Sequence, residues 1–106
     1  MSVSIPSVLY LKTPPGVPFG NQGEKASELF LPAGEWVLEV VANGRWRLEV
    51  YGTFLGVRVR QAPGQVGEVV LPGSPGPLLV AEGRGRGQVV LELSSCSPTC
   101  RVVLLP

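Results

Sequence analysis

Between residues 35 and 51 apolar and polar positions alternate in two runs. Trp36, Leu38 and Val40 share one phase against Glu35, Val37 and Glu39; Trp46, Leu48 and Val50 then alternate with Arg45, Arg47 and Glu49. A period of two puts one face inside and one outside, so each run predicts a β-strand. Asn43-Gly44 between them predicts a hairpin. A two-residue type I′ loop would pair Ala42 with Arg45 and set Leu38 against Glu49 and Val40 against Arg47, mixing charges into the apolar face. A three-residue loop, Ala42-Asn43-Gly44, with Gly44 in the left-handed region as a bulge, pairs Val41 with Arg45 instead. Trp36 then opposes Val50, Leu38 opposes Leu48 and Val40 opposes Trp46, while Glu39 meets Arg47 outside. The same phase assigns both tryptophans to the core, where each indole N–H needs an acceptor.

The rest of the chain reads as short strands separated by Gly and Pro. Ser7 to Thr13 predicts a strand, followed by a loop carrying Phe19, which either plugs the core edge or is displayed as a contact. Lys25 to Leu31 predicts a second strand, ended by Pro32-Ala33-Gly34. After the central segment, Gly52 marks a bend, and Leu55, Val57 and Val59 alternate with Arg58 and Arg60 up to the turn Ala62-Pro63-Gly64. Val66 to Leu71 follows, then a Pro/Gly/Ser run from Pro72 to Pro77. Leu78 to Glu82 and Gln88 to Leu93 predict a second hairpin across Gly83-Arg84-Gly85-Arg86-Gly87, and Arg101 to Leu105 a last strand. No segment has helical periodicity. Eight or nine such strands predict an all-β fold: a two-sheet antiparallel β-sandwich with jelly-roll or related Greek-key connections. The expected organisation is a single domain over residues 1–106 with a Pro/Gly-rich N-terminal region.

Composition agrees with that class. Hydrophobic residues make up 44% of 106 positions, enough for a core, and 14 Gly with 11 Pro supply the turns. A net charge of +1 gives no general electrostatic case for nucleic acid or an anionic membrane. The absence of His and Asp removes Ser-His-Asp and Cys-His arrangements, leaves zinc only two Cys and scattered Glu, and rules out an Asp-rich calcium loop. No catalytic, metal or cofactor site is therefore expected. Glu pairs of the kind glycosidases use would need a cleft, whereas alternating outward Glu residues form solvated faces. The few Asn and the Pro-rich loops resemble a thermophile's composition. The N-terminal segment has neither the basic start nor the apolar run of a signal peptide, and no run approaches the roughly 20 residues of a membrane span. A soluble protein of open localisation is expected.

Four groups of residues invite chemistry. Cys96-Ser97-Pro98-Thr99-Cys100 places two thiols around a tight turn, where a disulfide would staple the loop. Arg84 and Arg86 put two guanidinium groups on the glycine-rich loop, where they could contact phosphate or a partner carboxylate; a phosphate-cradling motif would need a helix after the glycines, and a strand follows. Tyr51 and Tyr10 are candidates for exposed aromatic contact. Val37, Val41, Val90 and Val103 fall in the outward phase, so a contiguous group of them would mark an interface, and loops or the N-terminal arm could equally cover them.

From Phe19-Gly20 through Phe30-Leu31-Pro32-Ala33-Gly34-Glu35-Trp36 to Gly52, about a third of the chain, the order of strand and turn residues resembles small jelly-roll modules of the CUB-like and prepeptidase-associated type. The resemblance implies a β-sandwich used in adhesion, ligand binding or assembly; no calcium or carbohydrate residues carry over from it. The expected function is a non-enzymatic structural or interaction protein assembling with itself or protein partners through its sheet faces and Pro-rich arm, as a small virion or surface-assembly component would. Phe19, Val37, Val41, Tyr51, Val90 and Val103 are its candidate interface. The alternative is a carbohydrate- or ligand-binding module using Phe19, Tyr51, Arg84 and Arg86.

Overall fold

The computed structural model describes residues 9–12, 25–73, 77–96 and 98–106. Ten strands and no helix occur among them: β1 (Leu9–Lys12), β2 (Lys25–Ala26), β3 (Glu28–Leu31), β4 (Gly34–Ala42), β5 (Arg45–Tyr51), β6 (Gly56–Gln61), β7 (Val69–Pro72), β8 (Leu78–Arg84), β9 (Gly87–Ser94) and β10 (Cys100–Leu105). Sheet A runs β2-β1-β4-β9-β6-β7 and sheet B runs β3-β10-β5-β8, with every neighbouring pair antiparallel. The all-β two-sheet sandwich predicted from the sequence is what forms.

The strand order is that of a jelly roll. Pairings β3 with β10, β4 with β9, β5 with β8 and β6 with β7 are those of one long hairpin whose tip is the 62–68 loop. Rolling that ribbon puts successive strands in opposite sheets, and the pairs β10 with β5 and β9 with β6 then close each sheet. β1 extends sheet A beside β4.

The ribbon bends at three corners. At the first, residues 32–33 lie across from residues 95–96 and 98–99, between the β3–β10 and β4–β9 pairings, where a Cys96–Cys100 disulfide with Cα atoms 5.3 Å apart staples the returning chain. At the second, the Gly85 N–H donates to the Gly44 carbonyl at 2.9 Å, continuing the ladder around the bend. At the third, Gly73 lies so close to residues 54–55 that a Cβ there would stand 2.1 Å from the Leu55 carbonyl oxygen, so only glycine fits.

The tryptophan-bearing strands are thus not a hairpin, which corrects the expectation from the sequence. β4 and β5 lie in opposite sheets; Val41 pairs with Tyr10 rather than Arg45, and Arg45 pairs with Arg84. Gly44 does not take the positive φ that the bulge required. Glu39 finds Lys12 at 2.9 Å instead of Arg47. Residues 78–82 and 88–93 separate in the same way, β8 into sheet B and β9 into sheet A. Alternation dictates which side chains turn inward, and a face can be buried across a sandwich as well as beside a neighbour. The predicted strand over residues 25–31 also breaks at Ser27, its halves entering different sheets.

The inward phases themselves hold. Leu38, Val40, Trp46, Leu48 and Val50 are all buried, joined by Val57, Val59, Val89, Leu91, Leu93, Val102 and Leu104, and among the described residues no polar one is buried. Trp36 is half-buried against this core and donates from Nε1 to the Pro32 carbonyl at 2.8 Å. Trp46 donates from Nε1 to the Gly85 carbonyl at 2.8 Å. Its ring lies against Gly83 and Gly87, where added Cβ atoms would stand 2.6 and 3.1 Å from Cζ2. The glycines at 83 and 87 therefore make the seat of an indole rather than a flexible hairpin loop.

Candidate functional site

The outward faces carry the chemistry, and most of their charges are neutralised in place. On sheet A, Glu35 and Glu92 are direct cross-strand partners. Such a like-charge pair is unfavourable by itself, and Arg60 bridges it, reaching Glu35 at 2.6 Å and Glu92 at 3.5 Å; Arg58 also reaches Glu92, and both arginines bind Glu68. Glu39 raises the Lys12 ammonium above its usual pKa, chiefly through their hydrogen bond. On sheet B, Arg101 pairs with Glu28 and lies over the Tyr51 ring, 5.3 Å from its centroid. The Tyr51 hydroxyl donates to Glu49 at 2.8 Å, which lifts the phenol pKa above its ordinary value, with burial and the Glu49 charge adding to the rise.

A second corner region is different. Arg45 and Arg84 oppose each other across β5 and β8, and Arg47 follows on the same face with Glu82 as its cross-strand partner. They line an open depression of about 530 Å³ together with Trp46, Gly83 and Pro106. Arg86 lies apart from them, beside Glu39, Gly87 and Gln88. The structure therefore separates the two arginines that the sequence grouped, and gathers Arg84 with Arg45 and Arg47, which sequence reasoning missed. Their shared outward phase was legible, but their adjacency needs the pairing of β5 with β8.

The third feature is the edge of sheet A. β7 ends the sheet, with Val69 39% and Val70 68% exposed; Leu55 and Val66, outside the strands, are 75% and 97% exposed. A shallow depression of about 360 Å³ between Leu55, Arg58, Val70, Leu71, Glu92 and Ser94 adjoins it. The sequence reading placed Val66 inside a strand and gave no role to this edge, because a short apolar run looks the same in a central strand and at an edge.

The predicted interface residues fall in several places. Val37 and Val90 are cross-strand neighbours on the outer face of sheet A, Val37 half exposed. Val41 lies on the same face but is buried at 7% exposure, with Tyr10 of β1 opposite it. Val103 belongs to the outer face of sheet B, between Glu28 and Glu49. Tyr51 shares that face, in a row with Arg101 and the half-exposed Phe30, a residue the sequence reading passed over. Phe19 lies outside the described residues. Cys96 and Cys100 form the expected disulfide. Among the described residues no cluster of His, Cys, Asp and Glu could hold a metal ion, and no helix is long and apolar enough to cross a membrane. The chain matches no protein-family model, no curated protein and no solved structure.

Proposed function

We propose that this chain is a non-enzymatic structural protein that assembles with further copies of itself by adding strand to strand at β7. The observation that supports the reading is the character of that edge. An edge strand presents unpaired N–H and C=O groups, and proteins guard such edges with charges, bulges or proline. The other edge strands follow this rule or are too short to recruit a partner: β2 has two residues, β3 contains Glu28, and β8 contains Glu82 and Arg84 and pairs through a register shift. β7 reads Val69-Val70-Leu71-Pro72, without a charge, and its only guard is the proline at its end.

A second copy satisfies this edge well. In an antiparallel pair about a two-fold axis at Val70, Val70 meets its own counterpart and Val69 meets Leu71. Inner residues then face inner residues, no like charges are opposed, and two six-stranded sheets become one continuous sheet. This self-complementary contact closes at two copies, and the resulting dimer is the unit that a virion or surface layer would assemble through other faces. Light scattering and native mass spectrometry test the proposal. Wild type is expected as a dimer or larger species, and Val70→Lys as a monomer with an unchanged circular dichroism spectrum. A wild-type chain that stays monomeric at high concentration, or a Val70→Lys variant that assembles equally well, overturns it.

A further inference from the structure

We propose that the corner formed by Arg45, Arg47 and Arg84 is a binding site for a tetrahedral oxoanion, a phosphoryl or sulfuryl group, whose principal contacts are Arg45 and Arg84. The register places these two directly opposite each other on adjacent strands, where Cβ atoms are roughly 5 Å apart and like charges repel. The molecule meets the comparable opposition of Glu35 and Glu92 with its own counter-ions, Arg60 and Arg58. Among the described residues no such counter-ion serves the arginine pair. Lys12, Arg58, Arg60 and Arg101 each hold a carboxylate within ion-pair distance; among the described residues Arg45, Arg47, Arg84 and Arg86 hold none, and of these only Arg45 and Arg84 directly oppose each other. Even Glu82, opposite Arg47, forms no ion pair with it.

The geometry suits a small anion better than an extended polyanion. Two planar guanidinium groups projecting from opposed positions can each present paired N–H donors to the oxygens of one tetrahedral group. The depression beside them, about 530 Å³, has room for such a group and whatever carries it. Glu82 lines the same depression, and Glu28 and Glu49 stand farther along the outer face of sheet B. A long phosphate backbone lying on that face would meet all three carboxylates, whereas a single group between Arg45 and Arg84 would have only Glu82 nearby. The backbone under both arginines is fixed in advance: Gly85 N–H holds the Gly44 carbonyl, and the Trp46 indole holds the Gly85 carbonyl. With the backbone already fixed, only the side-chain torsions of the two arginines remain to be ordered on binding.

The Trp46 indole is buried on the inner face of sheet B, away from the arginine side chains, so occupancy is read directly by isothermal titration calorimetry. Pyrophosphate, sulfate and a single-stranded oligonucleotide are titrated separately into the full chain at low ionic strength, with Arg45→Gln, Arg84→Gln and Arg86→Gln alongside. Saturable pyrophosphate or sulfate binding is expected, weakened about tenfold or more by loss of Arg45 or Arg84 and unchanged by loss of Arg86, which lines a different depression. Pyrophosphate should also raise the Tm of wild type and of Arg86→Gln but not of Arg84→Gln. Absence of saturable binding at millimolar pyrophosphate, equal weakening by all three substitutions, or much tighter binding of the oligonucleotide overturns the proposal.

Discussion

Replacing Gly83 by Ala tests the physical claim on which the second corner rests, that a glycine is needed beneath Trp46. The added Cβ would lie 2.6 Å from Cζ2, 3.0 Å from Cε2 and 3.2 Å from Cη2 of the indole, against roughly 3.5–4.0 Å for carbon atoms in favourable contact. The ring has nowhere to go. It is 1% exposed, its Nε1 is committed to the Gly85 carbonyl at 2.8 Å, and the Gly87 Cα bounds it as well. Overpacking of this kind costs about 1–3 kcal/mol, and displacing the ring enough to break the indole hydrogen bond adds about 1 kcal/mol. Replacing a strand glycine returns about 0.5–1 kcal/mol of backbone entropy. The expected net loss is therefore about 2 kcal/mol, or a Tm lowered by roughly 10 °C. Urea denaturation followed by tryptophan fluorescence measures it, and Trp46→Phe supplies a cycle: with the larger ring gone, Gly83→Ala should cost less than in wild type. A Gly83→Ala variant as stable as wild type, or a cost unchanged in the Trp46→Phe background, would refute the close fit.

Gly44→Ala distinguishes the corner from the hairpin bulge, because no atom lies within 4 Å of the added Cβ and φ is not positive; denaturation should show stability unchanged or raised by about 0.4–1 kcal/mol, whereas a left-handed glycine would make the substitution destabilising. Reducing Cys96–Cys100 opens a loop of sequence separation 4, for which chain entropy gives about 2 kcal/mol, to be read as a lower urea midpoint with reductant present. The Tyr51 phenol, held above its ordinary value of 10.0 by Glu49, should ionise late in the absorbance difference between wild type and Tyr51→Phe, and Glu49→Gln should move it back. Since the folded-state value is the raised one, this contact supports the fold below the unfolded pKa and stops doing so as pH climbs through the folded pKa.

The fold class and most of the inward phase were legible because both follow from local alternation: Leu38, Val40, Leu48, Val50, Val57 and Val59 turned inward, whereas Leu55, expected in phase with Val57 and Val59, lies before β6 and is exposed. Strand pairing was not. Charge complementarity satisfied the false hairpin as well as the true roll, since Glu39 could sit by Arg47 in one and by Lys12 in the other. One signal could have broken the tie. Gly87 continues the inward phase of Val89, Leu91 and Leu93 in β9, and Gly83 lies in the inward phase of β8, opposite Trp46. Small residues in an inward phase call for a large side chain to fill the space they leave, and the chain has only two tryptophans to supply it.

The candidate sites depend on the part of the fold that was hardest to read. Arg45 and Arg84 are neighbours only because the ribbon doubles back after β6 and β7, so no scan along the chain would group them. Arg84 and Arg86, two positions apart, part company because the ribbon turns between sheets at residues 85–86. The exposed edge likewise comes from closure: β7 returns from the tip of the ribbon to pair with β6 and, among the described residues, has no strand on its other side. In a rolled hairpin the core is therefore written in the spacing of near neighbours, while exposed chemistry is written in pairs equidistant from the tip. Reading outward from residues 62–68 and matching positions on the two arms places Arg45 against Arg84 and Glu35 against Glu92. One opposition is closed by Arg60 and the other has no counter-ion among the described residues, and that asymmetry is the physical reason to look for a ligand at the arginine pair.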